Sequence, residues 1–315
     1  MSKPRILFMG TPEFAVPSLA ILVENNYPVA AVVTQPDRPK GRGRETAPPP
    51  VKVLAETINL PIIQPERLGD ESFLKLFERL APDMVVLAAF GQILPASIIA
   101  TPKLGCINVH PSLLPKYRGA APINRAIIGG EEKTGVTIMY MSEGVDQGDI
   151  ILQQETTIGT AETYGELHDR LAVIGAKLLL VAIEKLTIGT ATCTPQNHAA
   201  ATYAPRLKKE DGLIRWNTDI TGIVNLVRGL SPSPGAYTFL DRKKLKILDA
   251  VAEESPAGEK VGVTGMVTEK GLPVAAQNGC VYLREIQMES KKRMPVREFL
   301  RGYPVNPGSV LGVSS

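Results

Sequence analysis

Asn108 and His110 stand two residues apart in the run Gly105-Cys106-Ile107-Asn108-Val109-His110, and a glycine-punctuated loop, Glu143-Gly144-Val145-Asp146-Gln147-Gly148-Asp149, follows downstream. If residues 106–110 form a strand, its period of two points the carboxamide and the imidazole the same way. A carboxamide donates hydrogen bonds without titrating, so it can stabilise negative charge developing on an oxygen in a tetrahedral intermediate. An imidazole exchanges a proton near neutrality. A carboxylate beside it orients the ring, favours its charged form or takes a proton through water. Asp149 rivals Asp146 for the acidic role, because spacing alone does not show which of them meets the histidine.

Other chemistries lack their parts. No serine sits in a Gly-x-Ser-x-Gly elbow, and Cys106 has no partner motif. The three histidines, His110, His168 and His198, are too dispersed for a zinc site, and no metal is expected. Direct transfer to a substrate's own nucleophile is therefore preferred over a covalent enzyme intermediate. Gly10-Thr11-Pro12 follows the first apolar run without the G-x-G-x-x-G spacing, and no Walker A sequence occurs, which disfavours NAD-dependent and P-loop chemistry. A second feature is the basic segment Gln35-Pro36-Asp37-Arg38-Pro39-Lys40-Gly41-Arg42-Gly43-Arg44. Its cations and glycines suit either a polyanion-binding loop or a solvated surface.

The elements that must hold these groups are legible as alternation. Short apolar runs at 6–9, 29–34, 61–63, 84–89 and 106–110 read as strands, separated by helical patterns at 14–23, 51–58 and 73–80. Such alternation implies a mostly parallel, Rossmann-like α/β sheet with flanking helices. Further strands are expected at 135–141 and 150–155, then a long helix over 163–186 opened by a Thr163/Glu166 capping box. A catalytic domain over residues 1–189, a linker over 190–206 and a smaller OB-like β-barrel domain over 207–315 are expected. That second domain reads as one helix near 219–228 and short strands at 235–239, 244–248, 262–268, 272–276 and 281–286.

Composition narrows the setting. With 315 residues, 44% hydrophobic and 21% charged, the chain suits a globular protein of two domains. Residues 1–205 carry a net charge of −2 and the remainder +5, so an anionic partner would favour the C-terminal part. Three scattered cysteines fit a reducing compartment. No apolar run approaches the ~20 residues of a membrane span, and no signal-peptide core is seen, so a cytoplasmic protein is expected.

Several longer motifs occur in order: Gly10-Thr11-Pro12-Glu13-Phe14-Ala15, the segment Thr34 to Gly43, Gly105 to His110, Ser112-Leu113-Leu114-Pro115, and Tyr117-Arg118-Gly119-Ala120-Ala121-Pro122-Ile123. By these the chain resembles, end to end, the methionyl-tRNA formyltransferase branch of the formyltetrahydrofolate-dependent formyltransferase family. The resemblance implies transfer of the formyl group of 10-formyltetrahydrofolate to the α-amino group of methionine on initiator methionyl-tRNA. It implies catalytic roles for Asn108, His110 and Asp146. Folate-side contacts follow for Phe90, Gly91, Ile93, Leu94, Ser112, Leu113, Leu114 and Pro115. Arg38, Lys40, Arg42 and Arg44 are implied to bind the tRNA. Relatives that formylate small amines generally lack the basic insertion and this sort of C-terminal barrel, so those two features carry the tRNA assignment. A monomer without a membrane partner is expected. The sequence departs from the family pattern at Pro111, where glycine is common, and at Ser231-Pro232-Ser233-Pro234, where aromatic-rich versions occur.

Overall fold

Strands of a parallel sheet are covered on both faces, and the all-apolar runs Ile6–Gly10 and Met84–Ala88 are buried at every position. The computed structural model describes residues 2–40, 45–255 and 260–312, without the side chains of residues 39, 40, 45 and 46. Its elements begin β1 (Ile6–Gly10), α1 (Val16–Glu24), β2 (Val29–Val33), β3 (Arg38–Lys40), β4 (Glu45–Ala47), α2 (Pro50–Thr57), β5 (Ile62–Ile63), α3 (Glu71–Leu80) and β6 (Met84–Ala88). They continue with α4 (Ala96–Ala100), β7 (Cys106–His110), α5 (Pro122–Ile128), β8 (Lys133–Tyr140), β9 (Ile150–Thr157) and α6 (Tyr164–Thr187).

Seven of these strands make one sheet in the order β5-β2-β1-β6-β7-β8-β9. The five from β5 to β7 run parallel, and β8 and β9 add antiparallel. The fold is the Rossmann-like, mostly parallel α/β sheet expected from the alternation. On one face Leu7, Met9, Val85 and Leu87 pack with Phe73 and Phe77 of α3 into a closed core. Thr163 opens α6 as the capping box required: its N–H donates to Glu166 Oε2 at 2.8 Å, which with the Thr163 hydroxyl holds the Glu166 carboxyl below its usual range.

The later elements are α7 (Ile220–Leu230), β10 (Ala236–Leu240), β11 (Lys243–Glu254), β12 (Leu272–Ala276), β13 (Gly279–Met288), β14 (Met294–Pro295) and α8 (Val296–Gly302). Asp219 caps α7 by accepting from Gly222 N. The strands form an antiparallel half-barrel in the order β10-β11-β13-β12, with β14 on β13. Burial alternates along β10, as a sheet covered on one face demands. The strand expected at 262–268 is a correction: the segment makes only isolated bridges, Val263 to Val310, Thr264 to Val274 and Thr268 to Gly271. Gly262 at φ 79° and Gly265 offer little side chain to a continuous ladder there.

Internal contacts divide the chain into two units. The first is Met1–Pro122, Lys133–Thr157 and His168–Ala204; the second is Ile123–Glu132, Ile158–Leu167 and Pro205–Ser315. The segment read as a linker over 190–206 thus runs inside the first unit as far as Ala204, and the second unit draws in two stretches from before residue 189. Among the described residues no helix is long and apolar enough to cross a membrane.

Candidate active site

Strand order reverses between β1 and β6, and open α/β sheets take ligands in the crevice beyond the carboxyl ends at such a point. Gly10 and Thr11 leave β1 there, Phe90 and Gly91 follow β6, and β7 ends on His110, with Val109 paired to Ala88. The edge is tied together across strands. Thr11 Oγ1 donates to the Phe90 carbonyl at 3.2 Å and accepts from Gln35 N at 3.2 Å, while Gln35 Nε2 donates to the same carbonyl at 3.3 Å.

His110 is 4% exposed. Its Nε2 lies 3.0 Å from the Tyr117 carbonyl oxygen. A carbonyl only accepts, so this nitrogen carries a proton. Nδ1 faces Asp146 Oδ2 at 3.7 Å, too long for a hydrogen bond and close enough for charge to be felt. A neutral ring therefore turns its lone pair toward the carboxylate, and a protonated ring is drawn to it. Nδ1 is the ring position at which a proton can be held or released beside Asp146. Asp146 sits at φ 51°, a left-handed conformation that aspartate tolerates, and its Oδ2 accepts from Gly119 N at 2.8 Å.

Asn108 lies one pleat earlier on β7, half-buried, and its carboxamide has no hydrogen-bond partner among the described residues. Asp149, the rival acid, is exposed, and its carbonyl accepts from Tyr140 N in the β8–β9 pairing. Its charge, after burial, helps to push the Cys193 thiol up. The structure brings Asp146 to His110 and leaves Asp149 at the surface.

Of the folate-side candidates, Phe90 and Leu94 are buried while Ile93 is 82% exposed, and Gly91 takes φ 86° between them. The Ser112–Pro115 segment is braced from within. Ser112 Oγ donates to Lys116 O at 2.6 Å, and Leu114 N donates to Thr137 Oγ1, whose hydroxyl donates back to Ser112 O. Leu113 and Pro115 keep partial exposure.

Arg38 to Lys40 of the basic segment pair as β3 with Glu45 to Ala47 of β4, where the sequence predicts loop. Arg38 is exposed, whereas Arg42, Arg44 and the Lys40 side chain lie outside the described residues. The root of β3 is anchored: Gln64 Nε2 donates to Asp37 Oδ1 at 2.8 Å and Lys52 Nζ to Asp37 Oδ2 at 2.6 Å, and both bonds hold this carboxyl below the usual range.

Three groups without a motif signal complete the geometry: the Tyr117 carbonyl, the Gly119 amide and the Gln196 side chain. Tyr117 and Gly119 stand in a motif the sequence displays, but their roles belong to the backbone and leave no side-chain signal. Gly119 holds φ 117°, and a Cβ there would stand 2.8 Å from the Ala204 carbonyl oxygen. Gly119→Ala should therefore destabilise the protein by at least about 1 kcal/mol and slow turnover as the amide facing Asp146 shifts. Thermal denaturation beside a rate measurement checks both effects, and an unchanged melting temperature contradicts them.

A family model described as formyl transferase matches residues 4–183, and a second, described as formyl transferase, C-terminal domain, matches residues 206–304. The methionyl-tRNA formyltransferase of Syntrophus aciditrophicus is 57% identical over 312 residues, spanning 99% of this chain and 100% of the relative. That of Geotalea uraniireducens is 50% identical over 315 residues, 99% of each. Among solved structures, HypX from Aquifex aeolicus in complex with tetrahydrofolic acid matches with a TM-score of 0.65 at 19% identity, over 95% of this chain and 47% of that one, a likeness of fold.

Proposed function

The chain belongs to the formyl transferase family, and from that membership we propose that it transfers the formyl group of 10-formyltetrahydrofolate to the α-amine of methionine carried by initiator tRNA. One observation carries the reading: His110 presents Nδ1 to Asp146 at the sheet's carboxyl edge, with the Asn108 carboxamide, unpartnered among the described residues, two residues away on the same strand face. Full-length kinship with methionyl-tRNA formyltransferases supports the acceptor. Phe90 and Leu94 are buried beside the switch point, an apolar setting that suits a flat pterin ring.

The neutral amine attacks the formyl carbon, and the carbonyl's π pair moves onto its oxygen. Asn108 donates to that oxygen, which strengthens as charge builds, and His110 adds to the same field. The ammonium formed on attack gives up its proton toward Asp146 and His110, through water where the reach requires it. As the carbon–nitrogen bond to the folate breaks, N10 takes a proton, with His110 Nδ1 as its donor. The net result is one proton moved from amine to N10, leaving N-formylmethionyl-tRNA and tetrahydrofolate. No enzyme nucleophile is needed.

The acceptor's phosphates have two basic surfaces available. The first unit carries the basic segment with Arg38, Lys40, Arg42 and Arg44. In the second unit a cleft of about 220 Å³ is lined by Lys208, Lys209, Lys244, Lys246 and Tyr237. Lys244 Nζ lies 3.6 Å from the centre of the Tyr237 ring, and its pKa is lowered by burial and then by the charges of Lys246 and Lys209. An anion would relieve that crowding. Association with tRNA should accordingly weaken about 10³-fold or more between 50 and 200 mM salt if roughly six phosphates are neutralised. Filter binding across that range checks the slope, and salt-insensitive binding contradicts the phosphate contacts.

The deciding assay incubates the purified protein with labelled 10-formyltetrahydrofolate and, separately, methionyl initiator tRNA, methionyl elongator tRNA, free methionine or water. Label on the initiator species supports the reading. Label only on a free amine, or released only as formate, rejects it in favour of a small-amine formyltransferase or a hydrolase.

A further inference from the structure

Arg118 is 1% exposed, among the largest fully buried side chains in the chain, and no carboxylate pairs with it among the described residues. Its guanidinium instead donates to neutral acceptors: Nε and Nη2 reach Gln196 Oε1 at 3.1 and 2.7 Å, and Nη2 reaches His198 Nδ1 at 3.2 Å. A buried cation without a counter-charge is costly, so its retention calls for a geometric reason. Gln196, itself 6% exposed, supplies one. Its Nε2 donates to the carbonyl of Asp146 at 2.9 Å and to that of Gly148 at 2.7 Å.

The orientation of this carboxamide is forced. A guanidinium only donates, so Oε1 must face Arg118 and the amide nitrogen must face the loop. Two carbonyls of the Asp146 loop are thereby fixed to a buried point. The same arginine lies between Tyr117, whose carbonyl accepts from His110 Nε2, and Gly119, whose amide donates to Asp146 Oδ2. Its backbone is clamped in turn, with Arg118 N donating to Thr202 O at 2.9 Å and Ala204 N donating to Arg118 O at 2.7 Å. Histidine and aspartate are registered against one anchor.

We propose that Gln196, oriented by Arg118, is a positioning residue that sets the distance between Asp146 and His110. The inference rests on the reading of Asp146 as a reacting group. Misplacement by about 1 Å of such a group costs on the order of 10²-fold in rate.

Gln196→Glu separates positioning from folding. It keeps the acceptor for Arg118, now as an ion pair, and sets an oxygen against the two loop carbonyls where a donor had been. The expected result is a melting temperature within about 2 °C of the parent or higher, a KM for 10-formyltetrahydrofolate within about twofold, and a single-turnover rate lower by roughly tenfold or more. Gln196→Met, which removes both contacts, should also be slow. Because the effect runs through Asp146, the double variant Gln196→Glu/Asp146→Asn should be within about threefold of Asp146→Asn alone. A parental rate in Gln196→Glu while Asp146→Asn is slow overturns this inference and leaves the reading of Asp146 standing. Full additivity in the double variant also overturns it. A parental rate in Asp146→Asn overturns the reading itself, and this inference with it.

Discussion

Asn108→Ala lowers the rate of formyl transfer by about 10²–10³-fold, on the order of 3–4 kcal/mol of transition-state stabilisation, with KM for the formyl donor nearly unchanged. The expectation follows from an amide that donates to nothing among the described residues. A carboxamide half-buried on a central strand and left without a partner is spare capacity in the ground state, available to an oxygen that becomes charged only during reaction. Its removal opens no large cavity and strands no buried partner, so the fold should hold. Rapid quench with enzyme in excess over methionyl-tRNA reads the step directly. A variant that turns over at the parental rate removes Asn108 from the chemistry.

Asp146→Asn slows the same step by about 10²–10³-fold. This substitution is chosen because asparagine tolerates the left-handed backbone at φ 51° and still accepts from Gly119 N through its carbonyl oxygen. Shape and loop position are conserved, and only the charge facing His110 Nδ1 is deleted. Stability should change little, which separates this variant from Gly119→Ala, where stability and rate fall together. Single-turnover kinetics beside a melting curve measures both, and a parental rate removes the carboxylate from proton handling.

The readable part of this site was the part written in side chains at fixed spacing. Asn108 and His110 share a face because β7 is a strand, with Ile107 and Val109 alternating onto the other face. The parallel sheet was legible because its central strands are apolar at every position and so contrast sharply with the amphipathic helices between them. The choice of Asp146 over Asp149 was not, since it depends on a loop conformation fixed by Gly119 and Gln196, far apart in the chain. Gln196 itself falls in a stretch of Ala, Thr, Pro and Asn without periodicity. The stretch reads as a linker because its order comes from pairing with Arg118, through Gln196 and through residues 202–204, rather than from any local propensity. Short helices such as α4 and α8 were invisible for a similar reason: each spans only two turns or less after a proline, too brief for a period to register. The strand expected at 262–268 failed where glycines broke an otherwise β-prone run.

A structure of the protein with a stable formylated folate in place tests the central claim most directly. The formyl oxygen should lie about 3 Å from Asn108 Nδ2, with the formyl carbon open to approach from the Asp146 side. A formyl group more than about 6 Å from Asn108, His110 and Asp146 alike, beyond direct or single-water reach, would contradict the account.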